Sequence, residues 1–130
     1  SSSKPTREVR RGRLLILDDE PQIGAALRRA LHKEHDVVSL TDAREALARL
    51  REGERFDVIF CDLMMPDMTG MEFFAEIERK LPEVASSVVF FTGGAFTQRA
   101  QSFLDNVSNP RLEKPPNLRS IRELLRDRVR

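Results

Sequence analysis

Five polar side chains stand at or just beyond the ends of apolar runs: Asp18 and Asp19 after Leu14 to Leu17, Asp62 after Val58 to Cys61, Thr92 after Val88 to Phe91, and Lys114 just past Leu112. If these run-ends meet, three carboxylates share one crevice. Like charges at close range raise the pKa of at least one of them unless cations answer. A hard divalent cation of the magnesium type, taking oxygen ligands, would answer them, and so would an ammonium such as Lys114, a mobile point charge with three donors. Taken singly, each residue has a plainer job. Asp18 reads first as a cap for the helix after it, although the acid beside it exceeds what capping needs. Asp62 stands equally well as a reactive group or as the first residue of an Asx-turn, and Thr92 before two glycines reads more often as a turn hydroxyl. Asp67 and Thr69 read as turn and helix-start residues, and Gly70 as a conformational necessity. His32 and His35, with no third ligand nearby, read as solvated helix-end residues rather than a zinc site. The joint occurrence of the five is what points to chemistry.

For the run-ends to meet, the strands must be parallel, and the patterning supplies that. Leu14, Leu15, Ile16 and Leu17 show no alternation, as expected of a strand buried on both faces. Pro21 suits a first helical turn, after which Ile23, Leu27, Ala30 and Leu31 recur at helical spacing. Residues 36–40 read as a short strand. Ala43, Ala46, Leu47 and Leu50 form one helical face, with Thr41 or Asp42 as cap and Gly53 past the end. Val58 to Cys61 make the third strand. Phe73, Phe74, Ile77 and Leu81 lie on the third helix with Pro82 near its end, and the fourth strand starts near residue 87. Phe96, Ala100, Phe103, Leu104 and Val107 mark a fourth helix, Arg111 and Leu112 a very short strand, and Leu118, Ile121, Leu125 and Val129 a last helix. Strand and helix alternate five times, the pattern of an α/β, doubly wound, five-stranded parallel sheet with right-handed crossovers. Ligands of such sheets bind at the carboxyl ends of the strands.

The totals narrow the class. The 130 residues suit one domain, with 33% charged and 40% hydrophobic residues in an ordinary balance. The lone Cys61 sits inside an apolar run and reads as a buried, reduced thiol of a cytoplasmic protein. No apolar stretch has the length of a membrane span, so no membrane contact is expected, and no signal peptide is visible. The chain opens on Ser rather than Met, as expected of an excised or processed piece, with residues 1–12 as linker or tail and 13–130 as the domain. Net charge is +1, distributed as +4 over residues 1–13, +4 over residues 111–130 and −7 between. The basic ends read as solvated surface rather than nucleic-acid contacts, since no aromatics interleave them.

Over residues 13–130 the chain resembles the receiver domain of two-component response regulators and hybrid histidine kinases. The matching residues are "LILDDE" with Asp18 and Asp19, "DLMMPDMTG" with Asp62, Thr92 in "FFTGG" and Lys114 in "EKP". The resemblance implies a flavodoxin-like (βα)5 fold with a cis bond at Lys114–Pro115. It implies that Asp62 accepts a phosphoryl group from the phosphohistidine of a histidine kinase or histidine phosphotransfer protein. It further implies Mg²⁺ held by Asp19, Asp62 and the backbone carbonyl at Met64, with Asp18 acting largely through water. Phosphoryl transfer wants such parts: a carboxylate nucleophile, a metal, and donors such as Thr92 and Lys114 for the equatorial oxygens. The domain would then catalyse its own phosphorylation and a slow autodephosphorylation.

Arg111 departs from the family pattern, which often has Tyr or Phe three residues before the lysine. A guanidinium does not bury cheaply, so it is expected to stay at the surface, and activation is expected to involve Thr92 and the loop from Gly93 to Thr97. The surroundings of "NPRLEKP" and the absence of an effector domain lead to the expectation of a C-terminal receiver of a hybrid histidine kinase, monomeric in isolation. Two alternatives differ in class: a phosphorylation-independent protein interaction module, and a small-molecule enzyme on the same frame, such as a phosphatase. The enzyme should carry a phosphate-cradling glycine loop after the first strand, where "DDEPQIG" has carboxylates instead, which repel a phosphate unless a metal intervenes.

Overall fold

The computed structural model describes residues 10–93 and 97–129. Its elements run β1 (Arg13–Leu17), α1 (Pro21–Leu31), β2 (Asp36–Leu40), α2 (Ala43–Arg51), β3 (Val58–Asp62), α3 (Gly70–Lys80), α4 (Pro82–Ala85), β4 (Val88–Thr92), α5 (Gln98–Asp105), β5 (Arg111–Glu113) and α6 (Leu118–Arg128). The strands form one parallel sheet in the order β2-β1-β3-β4-β5. Chain order reverses between β1 and β3, which opens a crevice at their carboxyl ends.

Successive residues of a strand face opposite sides, so the unbroken apolar runs feed two cores. Leu14, Ile16, Val58, Phe60, Val89 and Phe91 pack against Leu27 and Leu31 of α1 and Ile121 and Leu125 of α6. Leu15, Leu17, Ile59, Cys61 and Phe90 pack on the other side against α2, α3 and α5. Phe74, Phe90 and Phe103 make a three-ring cluster there with centroids 5.3 to 5.8 Å apart, all edge-on. Such pairs add about 0.5–1.5 kcal/mol each beyond the area they bury.

Helix starts follow their capping residues. Asp42 accepts from the Arg44 N–H at α2, Thr97 from the Ala100 N–H at α5, and Asn117 from the Ser120 N–H at α6. At α3 Thr69 and Glu72 form a reciprocal capping box. Gly53, with φ of 106°, follows the end of α2 in the left-handed region.

Three expectations need correction. Pro82 does not merely follow the third helix but opens a separate turn, α4: the residue before a proline is barred from helical geometry, and Leu81 sits at φ −138°, ψ 60°. The fourth helix stops at Asp105, so Val107 lies beyond it, though still packed against the core, while Phe96 lies outside the described residues. His35 is not solvated. It is 2% exposed, and its Nδ1 accepts the Gly12 N–H at 3.0 Å. His32 is exposed as expected.

Candidate functional site

The carboxyl ends of β1, β3 and β5 bring Asp18, Asp19, Asp62 and Lys114 together. Asp18, Asp19 and Asp62 each offer a carboxylate oxygen within 4.8 Å of the others. The Lys114 ammonium lies 2.7 Å from Asp18 Oδ2, 3.3 Å from Asp62 Oδ2 and 3.8 Å from Glu20 Oε1. A cleft of about 320 Å³ opens over them, walled by Asp19, Glu20, Asp62, Met64, Gly93 and Lys114. Asp18 and Thr92 stand behind that wall, both buried.

The Asx-turn reading of Asp62 is met, whereas Asp18 does not cap α1, whose N-cap is Glu20, but makes a similar local turn instead. Asp18 Oδ1 accepts the Glu20 N–H at 2.9 Å, and Asp62 Oδ1 accepts the Met64 N–H at 3.2 Å, each across two residues as in an Asx-turn. The turns orient the carboxylates and leave each Oδ2 toward Lys114. Asp67 adopts φ 66° in the loop that follows. Gly70 is buried where a Cβ would collide with the Asp62 carbonyl oxygen, so the necessity there is close approach rather than a left-handed backbone.

Burial, then the charge of Asp18, pushes the Asp62 carboxyl up to about 7, against the pull of Lys114 and the Met64 N–H. Burial alone would lower the pKa of Lys114, but its hydrogen bond to Asp18 and the charge of Asp62 outweigh this and raise it. Burial also pushes the Cys61 thiol up, with help from the two aspartates, so it stays a protonated core group. One ammonium does not neutralise three carboxylates, and among the described residues Asp18 Oδ2 has no hydrogen-bond donor beyond it. The surplus negative charge, carried by oxygen with no imidazole or thiolate in the cluster, fits a hard divalent cation of the magnesium type.

Thr92 ends β4 beside Glu113, its carbonyl accepting the Lys114 N–H at 2.8 Å, and its hydroxyl has no hydrogen bond among the described residues. Gly93 reaches the cleft wall, packed on the Lys114 stem. Arg111 is exposed, with its guanidinium donating to the Leu104 carbonyl at 2.9 Å. The remainder of the loop expected to respond, residues 94–96, lies outside the described residues. The peptide bond at Lys114–Pro115 is cis, as the resemblance implied. Sequence reasoning passed over Glu20. It completes the run of three acids after β1 and leads α1 without capping it, so its carboxylate is left to the cleft; that run was the available signal.

The strand order and the acidic crevice define a flavodoxin-like receiver fold, and comparison with known proteins narrows it to a family. The model of the response regulator receiver domain matches residues 14–126, and the chain belongs to that family. The transcriptional regulatory protein TcrA of Mycobacterium tuberculosis is 36% identical over 116 residues, covering 88% of this chain and 44% of that protein. The hydrogenase transcriptional regulatory protein HoxA of Cupriavidus necator is 40% identical over 76 residues, 58% of this chain and 16% of its own length. The chain thus spans less than half the length of these curated relatives. Among solved structures, chemotaxis protein CheY4 of Vibrio cholerae superposes with a TM-score of 0.76 at 25% identity, covering 92% of this chain and 99% of that one. The chain is a receiver domain of the two-component type, whose family role is to accept a phosphoryl group and whose members work with histidine kinases or phosphotransfer proteins. No helix among the described residues is long and apolar enough to cross a membrane.

Proposed function

We propose that Asp62 is the residue that takes the phosphoryl group, from the phosphohistidine of a histidine kinase or histidine phosphotransfer protein. A Mg²⁺ ion would be held by Asp19, Asp62 and the main-chain carbonyl of Met64, with Asp18 acting on it largely through water. The observation that carries this reading is the meeting of three carboxylates within 4.8 Å beside an ammonium that touches two of them. When bound, the metal supplies charge neutralisation for the carboxylates and the phosphoryl oxygens.

An Asp62 oxygen attacks phosphorus in line. The new P–O bond forms as the P–N bond to the donor imidazole breaks, and the imidazole leaves neutral, its other nitrogen already protonated. Asp62 must be ionised to attack; its pKa stands at about 7 with Lys114 already pulling it down, and a bound cation would favour the ionised form further. Lys114 and the Thr92 hydroxyl are the donors to the equatorial oxygens. Slow attack of water on phosphorus then releases phosphate and restores the carboxylate.

The proposed unit is residues 13–130 with 1–12 as a linker. For the longer protein that would carry it, the patterning around "NPRLEKP" favours a hybrid kinase, while the relatives' names favour a transcriptional regulator. Exposure of Arg111, hydrogen-bonded to a neighbouring carbonyl, supports a response centred on Thr92 rather than on a side chain swinging inward at position 111. Incubation with Mg²⁺ and acetyl phosphate, followed by trapping of the acyl phosphate, tests the assignment: label is expected on Asp62 alone and absent from Asp62→Asn. Label elsewhere, or equal yield from the variant, overturns it.

A further inference from the structure

At the opposite edge of the sheet, where the strands begin, a cavity of about 490 Å³ is walled by Arg11, Lys33, Glu34, His35, Arg122 and Arg126 among others. It forms because the two basic ends of the chain converge there: Gly12, leading into β1, is so close to Val129, just past α6, that a Cβ on it would press into that side chain. Two of the cations have structural work. Arg11 caps α1 by donating to the carbonyls of His32 and Lys33 at 2.9 and 3.0 Å and pairs with Asp36 at 3.0 Å. Arg122 holds Glu34 through two contacts of 3.1 Å, which occupies the one carboxylate of the wall. The side chains of Lys33 and Arg126 have no ion pair or hydrogen bond among the described residues. His35 is only 2% exposed, and its Nδ1 accepts the Gly12 N–H, so the neutral ring carries its proton on Nε2. That Nε2–H has no partner among the described residues.

We infer that this cavity is a binding site for a small, multiply charged anion of the phosphate class, with Lys33 and Arg126 as charge partners and the His35 Nε2–H as the directional donor. Four cations against one committed carboxylate exclude a cationic ligand. A recessed donor on a buried ring suits a compact ligand that enters a concavity better than a flat acidic protein surface, and the volume lies in the usual range of small-ligand pockets, roughly 300–1,000 Å³. The site lies at the other end of the strands from Asp62, so it stands independently of the phosphoacceptor assignment.

Isotope-labelled chain, in buffer with a chelator to keep the acidic cleft metal-free, would be titrated at constant ionic strength with inorganic phosphate, pyrophosphate and adenosine monophosphate. Saturable shifts are expected at the His35 ring and at the amides of residues 33–35 and 122–126. The double variant Lys33→Gln/Arg126→Gln, both exposed positions, should bind at least about tenfold more weakly while melting at the same temperature. Pyrophosphate binding tighter than the nucleotide assigns a free polyphosphate, and the reverse order assigns a phosphate ester. Non-saturating shifts, shifts spread evenly over the arginines of α1 and α6, undiminished binding by the double variant, or saturation by a glutamate-rich peptide but by none of the three phosphates would each overturn the inference.

Discussion

At the carboxyl ends of the strands three carboxylates share one ammonium, whereas at the amino ends acids and bases are matched at short range: Arg13 with Glu54 at 2.7 Å, Arg49 with the same carboxylate at 2.8 Å, Arg11 with Asp36 at 3.0 Å. The same functional group responds in opposite directions. Hydrogen bonds from Arg49 and then Arg13 hold the Glu54 carboxyl at about 2, while burial and Asp18 push Asp62 up to about 7. Around Glu54 the amino end is electrostatically settled, whereas the carboxyl end keeps unfavourable charge, which the proposed function would use for a cation and a phosphoryl group. Function is legible as the place where stability is given up.

Removing the ammonium that faces the three carboxylates should have the largest effect. Lys114→Met leaves the buried Asp18 carboxylate without a counter-charge, and a loss of about 3–5 kcal/mol is expected in urea unfolding at neutral pH, with Mg²⁺ restoring part of it. If Lys114→Met unfolds at the same urea concentration as the parent, the cluster is not under the strain described.

Asp62→Asn should act in the opposite sense and stabilise the metal-free domain. Because the folded pKa lies above the unfolded value of about 3.8, ionisation costs stability progressively as pH rises from about 4 to 7. The variant's advantage is therefore expected to be absent near pH 4 and to reach on the order of 2 kcal/mol above pH 7. A variant less stable than the parent at pH 8 would contradict the comparison.

At the amino end of the strands the signs reverse. His35 has its pKa lowered, first by burial, with Arg11 adding to this and Glu34, Asp57 and Asp36 opposing it. The unfolded chain therefore takes up the proton first, and this contribution to stability is present above about pH 6.5 and lost as pH falls below it. His35→Leu should cost roughly 1–3 kcal/mol at pH 7.5 by stranding the Gly12 N–H. Thermal melts from pH 5 to 8 should show a shallower acid limb for His35→Asn than for the parent. The smallest effect is expected from Glu54→Gln, about 1 kcal/mol or less and fading with added salt, because its ion pairs are partly exposed.

Much of the acidic end could be read from one dimension. Leu14 to Leu17 and Val58 to Cys61 are runs that only a doubly covered strand explains, and parallel strands put their last residues on one edge, so Asp18, Asp19, Asp62, Thr92 and Lys114 had to converge. Both oxygens of an aspartate could not be separated in that way, and a turn and a reactive role looked like rivals, although Oδ1 makes the turn and Oδ2 is left facing Lys114. His35 was misplaced for a physical reason: what buries it is the segment around Gly12 and the end of α6, more than 20 and 85 residues away along the chain. Local periodicity carries no information about such contacts. The convergence of the two basic ends was hidden for the same reason, since charge totals have no direction.

The collision that a side chain on Gly70 would have with the Asp62 carbonyl means that α3 is butted against the main chain of β3 with no slack, and the Gly70 N–H to Leu63 carbonyl bond of 2.9 Å closes the joint. Mechanically this is a strut and not a hinge. With that contact in place, a displacement of the Asp62 backbone toward α3 would press on its first turn, so the helix is coupled to the position of the peptide rather than to the rotamer of its carboxylate. It also makes position 70 a ruler: one added carbon lengthens the strut and moves Asp62 relative to Lys114, so Gly70→Ala is expected to change the charge geometry of the cleft without touching any charged residue.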